Sequence, residues 1–145
     1  MRHHVYLSLG SNLGDRRKIM KEAIEALQQR VGSLAACSSM FETEPWGFES
    51  KNAFLNAAVW IRTSLTPEQV LIATQQIERD LGRTTKSKDG EYHDRLIDID
   101  ILMYDDIHLE ETFDQEGQAL QLTIPHPFMH QRDFVMNPLR EILSS

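Results

Sequence analysis

Apolar positions fall in blocks whose period changes along the chain. Val5 to Leu9 predicts a strand closed by Gly10-Ser11-Asn12-Leu13-Gly14, after which Ile19, Ala23, Ile24, Ala26, Leu27 and Val31 recur at helical spacing up to Gly32. Ala35 to Thr43, with small and alternating apolar residues, predicts a second strand ending at Glu44-Pro45-Trp46-Gly47. Phe54 to Thr63 predicts a third. Thr66-Pro67-Glu68-Gln69 supplies an N-cap, a proline at the first helical position and a capping-box glutamine; Val70, Thr74, Ile77 and Leu81 then make one stripe before Gly82 stops the helix.

From Arg83 to Asp94 there is no apolar period, and the residues read as a loop that could act as a lid. Arg95-Leu96-Ile97-Asp98-Ile99-Asp100-Ile101-Leu102-Met103-Tyr104 predicts the next strand. The polar stretch from Asp105 to Gln121 yields no assignment, and it ends at Leu122-Thr123-Ile124-Pro125-His126-Pro127. The order β-α-β-β-α-β is the split-βαβ pattern of ferredoxin-like α+β folds, one antiparallel sheet with both helices on one face. The 145 residues, 41% of them hydrophobic, suit a single domain spanning 1–145.

Asp98 and Asp100 carry the candidate chemistry. Side chains alternate faces along a strand, so the two carboxylates point the same way. Ile97, Ile99, Ile101 and Met103 form the expected apolar face opposite them, while Leu96 and Leu102 bracket the pair on its own face and limit hydration. Two like charges so placed cost roughly several kcal/mol per ion without compensation. A solvated edge-strand face is the plain alternative for a lone D-x-D. Mg²⁺, which takes one or two protein carboxylates and completes its shell with water and substrate phosphates, is the cation that fits.

Charge changes this picture by restricting the partners. A formal charge of −7 argues against a general nucleic-acid surface, so any anionic ligand must meet local positive charge. Such charge gathers at Arg83, Lys86, Lys88, Arg95, His126 and Arg132, a set suited to a polyphosphate because arginine forks pair with phosphate oxygens. Neither a P-loop nor a Rossmann glycine motif occurs. Gly10 to Asp15 could offer backbone N–H groups to a phosphate, but a tight turn with local capping accounts for it, and no phosphate is assigned there. Trp46, Phe48, Phe54, Tyr92, Phe128 and Phe134 lie in or beside predicted loops, where a flat heteroaromatic ring could stack, and Asn56 could meet its edge. Glu78 lies off its helix's apolar stripe and reads as a surface charge. The single cysteine, Cys37, reads as a small buried hydrophobe in a reducing cytoplasm. No signal peptide or membrane span is expected.

Together the motifs Leu9-Gly-Ser-Asn-Leu-Gly-Asp15, Thr43-Glu-Pro-Trp-Gly47, Phe54-Leu-Asn-Ala-Ala58, Ile77-Glu78 with Gly82-Arg83, Arg95-Leu-Ile-Asp-Ile-Asp100, Ile124-Pro-His-Pro-Phe-Met129 and Arg132-Asp-Phe134 run in order over nearly the whole chain. In this the chain resembles the bacterial 6-hydroxymethyl-7,8-dihydropterin pyrophosphokinases of folate biosynthesis. The resemblance implies transfer of the β,γ-pyrophosphoryl unit of ATP to the pterin hydroxymethyl group, with release of AMP. It implies two Mg²⁺ held by Asp98 and Asp100, and Arg83 and Arg95 at the phosphates and reaction centre. Gln75, Glu78, Lys86, Arg95, Ile101, Thr123, His126 and Arg132 would meet ATP. Thr43, Pro45, Trp46, Phe54, Asn56 and Phe134 would frame the pterin, with Phe54 and Phe134 sandwiching its ring.

Several positions depart from the family pattern. Thr85 stands where a second loop arginine is familiar, with Lys86 replacing its charge but not its fork. Tyr92 stands where tryptophan is common, Pro127 follows His126 in place of an aromatic, and 106–121 is expanded. The expected protein is a monomeric or weakly associating cytoplasmic enzyme acting on small molecules. The rivals are a Mg²⁺-dependent phosphohydrolase and an inactive ferredoxin-like ligand-binding module.

Overall fold

The computed structural model of the chain describes residues 2–12, 14–43, 53–82 and 97–143. The loop expected at Arg83 to Asp94 lies outside them, as do Pro45, Trp46, Lys86, Tyr92 and Arg95.

Among the described residues, seven strands and three α-helices follow one another as β1 (His3–Ser11), α1 (Arg16–Arg30), β2 (Gly32–Cys37), β3 (Phe41–Thr43), β4 (Phe54–Thr63), α2 (Pro67–Leu81), β5 (Asp98–Tyr104), β6 (Leu109–Gln115), β7 (Gln118–Ile124) and α3 (Asp133–Leu143). The main sheet runs β2-β4-β1-β5, antiparallel throughout, with β3 continuing the β2 edge of β4. This is the ferredoxin-like arrangement that the sequence pattern predicts.

Helix α2 forms where the capping residues demand it. The Gln69 N–H donates to Thr66 Oγ1 at 3.2 Å, and the Thr66 N–H donates to Gln69 Oε1 at 2.9 Å, so both orphan donors are met. Val70, Thr74 and Ile77 are its buried stripe. With Met20, Ala23 and Leu27 of α1 they pack on Val5, Leu7, Leu9, Ile61, Ile99 and Ile101 to form the larger core.

The opposite sheet face has its own cover. Val135, Met136, Leu139 and Ile142 of α3, with Met129, pack on Ala58 and Leu102. The sequence pattern did not predict this helix. One extra residue, Leu102, bulges β5 between the pairs Tyr6↔Met103 and Leu7↔Ile101. Met103 therefore joins Tyr6 and Trp60 on the α3 face rather than sharing a face with Ile97, Ile99 and Ile101 as expected.

Other expectations shift for local reasons. The strand expected over Ala35 to Thr43 is two strands. At the break, the Ser38 hydroxyl accepts from the Ala58 N–H at 2.9 Å in place of a backbone carbonyl, and Glu141 of α3 takes both the N–H (2.7 Å) and the hydroxyl (2.8 Å) of Ser39. Cys37 is exposed, not buried, because it lies at the end of an edge strand whose positions 33, 35 and 37 all face solvent. The unassigned stretch after Asp105 is the β6–β7 hairpin, turned by Glu116 (φ 51°) and Gly117 (φ 82°), the positive pair that a two-residue turn of matching twist requires. Its Leu109, Phe113, Leu122 and Ile124 extend the larger core.

Candidate active site

β1 does not close at Leu9 but continues through Gly10 to Ser11, and that extension organises the site. Gly10 pairs with Asn56 on one side and with Asp98 on the other; one row inward, Ser8 pairs with Ala58 and Asp100. Directly paired residues share a face, so Asn56, Gly10 and Asp98 lie in line across three strands, with Asp100 beside Asp98. Phe41 continues the line by pairing with Asn56, and Thr43 pairs with Phe54. This is the α3 face of the sheet.

The members of this line are partly or fully withdrawn from solvent. Asn56 is buried, and Asp98, Asp100 and Phe54 are half-buried. Phe134 stands in the first turn of α3 and packs against that helix's apolar cluster. Thus the structure brings Phe54, Asn56, Asp98 and Asp100 to one end of one face, and Phe134 stands at the start of the helix that covers that face.

Glu78 corrects the expectation of a surface charge. It reaches from α2 to the free edge of β5, where its Oε2 accepts from the Ile99 N–H at 2.7 Å. Burial, together with the negative charges of Asp98 and Asp100 and a hydrogen bond with Asp98, pushes its carboxyl up to about 8, although the Ile99 N–H acts in the other direction. Three carboxyl groups therefore converge from two elements. Gln75 precedes Glu78 by three residues and lies on the same side of α2.

The second edge contact brings the nucleotide candidates in. The His126 N–H donates to the Leu102 carbonyl at 2.9 Å, which fastens the segment after β7 along β5. The Phe128 N–H donates to His126 Nδ1 at 3.2 Å, leaving Nε2 as the donor of a neutral ring. Burial and the Arg132 guanidinium push His126 below the usual imidazole range, and Asp98 opposes them. The Arg132 guanidinium lies over the rings of Phe128 (5.5 Å) and Phe134 (5.7 Å), joining the His126 segment to the start of α3. Thr123 is half-buried on β7. The side chain of Ile101 is buried in the α1–α2 core, so only its backbone could meet a ligand.

Among the described residues no group of three metal-binding side chains stands out as a complete cation cage. Two carboxylates on one face with an incomplete protein shell suit Mg²⁺, which leaves its other positions to water and phosphate oxygens. Asp98 and Asp100 fit that ion. Sequence reasoning found this pair through strand period, but it missed Gly10 as part of the row because Gly10-Ser11-Asn12 reads locally as a turn.

Comparison with known proteins accords with this arrangement. The family model described as 7,8-dihydro-6-hydroxymethylpterin-pyrophosphokinase (HPPK) matches residues 6–144. A 2-amino-4-hydroxy-6-hydroxymethyldihydropteridine pyrophosphokinase of Porphyromonas gingivalis is 54% identical over 138 residues, covering 95% of this chain and 89% of the relative. The Bacillus subtilis protein of the same name is 41% identical over 143 residues, 98% of this chain and 79% of that one. Among solved structures, a Plasmodium falciparum HPPK-DHPS matches 97% of this chain with a TM-score of 0.77 at 15% identity, a likeness of fold; the chain spans 40% of that longer protein. The chain belongs to the 7,8-dihydro-6-hydroxymethylpterin-pyrophosphokinase family.

Proposed function

We propose that this chain transfers the β,γ-pyrophosphoryl group of ATP to the hydroxymethyl oxygen of 6-hydroxymethyl-7,8-dihydropterin, giving the pterin diphosphate and AMP. The hydroxymethyl oxygen forms a bond to the β-phosphorus, the bond from that phosphorus to the α-bridging oxygen breaks, and the hydroxyl proton leaves to solvent. The observation that carries the reading is the line Asn56–Gly10–Asp98 with Asp100 beside it, which sets a ring-edge partner and a carboxylate pair at opposite ends of one short row.

In this reading Asn56 hydrogen-bonds the pterin edge, and Phe54 and Phe134 stack on its two faces. Thr43, Pro45 and Trp46 complete that pocket. Asp98 and Asp100 hold two Mg²⁺, which when bound neutralise the triphosphate. Gln75, Glu78, Thr123, His126 and Arg132 line the ATP side, with Ile101 contributing its backbone. Arg83, Lys86 and Arg95 carry phosphate charge from 83–96. With the hydroxyl proton passing to solvent, rate enhancement rests on alignment and on charge stabilisation at the β-phosphorus. Its proposed partners are the small molecules ATP and the pterin alcohol. No described helix is long and apolar enough to cross a membrane.

The test is AMP formation from ATP and Mg²⁺ with and without the pterin alcohol. Pterin-dependent AMP supports the reading. Phosphate release independent of the pterin would make the protein a hydrolase, and binding without turnover would make it an idle module.

A further inference from the structure

Gly10 occupies an interior position of a central strand, where glycine weakens a sheet relative to alanine. Backbone geometry does not call for it: among the described residues the positive-φ glycines are Gly14 and Gly117, and Gly10 is not one of them. Close backbone approach does not call for it either. A Cβ at Gly10 would meet side-chain atoms, Asn56 Oδ1 at 3.1 Å and Phe54 Cδ1 at 3.6 Å, and among the described residues no atom of Asp98 lies within 4 Å of it. What glycine leaves is space on the α3 face, bounded on one side by the two residues assigned to the pterin and on the other by a carboxylate.

The dimensions suit a short substituent. Neighbouring strands are about 4.8 Å apart, so the backbones at Asn56 and Asp98 are separated by about 10 Å with Gly10 midway. A ring held at Asn56 and Phe54 must cross that gap to present an oxygen at the carboxylate end.

We infer that Gly10 is a specificity-determining residue: its missing side chain is the passage through which the hydroxymethyl arm of the pterin runs from the ring pocket to the Asp98–Asp100 end of the row. This rests on the pyrophosphotransfer reading above. Gly10 makes no contact through a side chain of its own, and its contribution is the exclusion of everything but a slender arm. A methyl group there would fill the path, while Asn56 Oδ1, 3.1 Å from it, need give only by a few tenths of an ångström.

Gly10→Ala and the wild type should be titrated, with Mg²⁺ and a non-hydrolysable ATP analogue present, with two dihydropterins: one bearing the hydroxymethyl arm and one bearing hydrogen in its place. Alanine should weaken the arm-bearing pterin at least tenfold, change the armless one less than threefold, and leave the ATP analogue within twofold. Equal weakening of both pterins would assign Gly10 to the ring pocket alone and overturn the inference, as would no change in either. Should the variant not fold, the wild type answers by NMR: cross-relaxation between the Gly10 Hα protons and the CH₂ of the bound arm is expected, and its absence overturns the passage. Wild-type protein that forms no AMP would refute the underlying reaction, whereas active wild type with an indifferent Gly10→Ala variant refutes only the passage.

Discussion

Replacing Glu78 by glutamine tests the convergence of carboxyl groups at the β5 edge through stability alone. In the folded, metal-free protein the Glu78 carboxyl sits at about 8 against an ordinary 4.5. The folded state therefore binds more protons than the unfolded chain between these values. Stability from this group is fully present below about pH 4.5 and is lost as pH rises through about 8. At about 1.4 kcal/mol per tenfold change in proton affinity, the ceiling on that loss is about 5 kcal/mol. Relaxation and water entry reduce it, and a loss of about 2 kcal/mol between pH 5 and 9 is the expected outcome. Glutamine stays neutral throughout, with an Oε1 that can accept from Ile99 and an amide that can donate to Asp98. Urea unfolding in metal-free buffer across this range should give nearly equal stabilities at pH 5, with the Glu78→Gln variant about 2 kcal/mol more stable than the wild type at pH 9. His126, held below its usual range, titrates in both proteins and cancels in the difference. Parallel curves for the two proteins would refute the claim that Glu78 is desolvated beside Asp98 and Asp100.

Asp98→Asn or Asp100→Asn should cut pterin-dependent AMP release by about three orders of magnitude with unchanged circular dichroism, and near-normal turnover in either would sink the proposed metal-binding role. Arg132→Lys keeps the charge but loses the guanidinium plane lying over Phe128 and Phe134, so KM for ATP should rise about tenfold; an unchanged KM in steady-state assays would contradict its assignment to the nucleotide. Leu139→Ala, at a fully buried α3 position, should cost about 3 kcal/mol in urea unfolding, and a cost under about 1 kcal/mol would mean that α3 is not packed against the sheet.

The sequence revealed what depends on near neighbours. The α2 capping box is written in four consecutive residues and is realised bond for bond. The shared direction of Asp98 and Asp100 follows from strand period alone. What stayed hidden depends on distant partners. Glu78 looks solvent-facing on its own helix because a helical projection does not contain the strand edge that it reaches. Apolar spacing at Val135, Met136, Leu139 and Ile142 marks α3, but Pro138 within it obscures the signal. The break between β2 and β3 depends on Ala58 and Glu141, which no local pattern around Ser38 could reveal.

The extra residue at Leu102 divides β5 into two stretches with different obligations. Upstream, every second side chain is given to the wet end of the sheet; downstream, Leu102 and Met103 serve the dry seam under α3 and Tyr104 returns to the helices. An ordinary unbroken pleat would put Met103 among α1 and α2 and turn Tyr104 toward α3. The irregularity thus acts as a phase shifter, letting one seven-residue strand satisfy two apolar layers without rotating its carboxylates out of line.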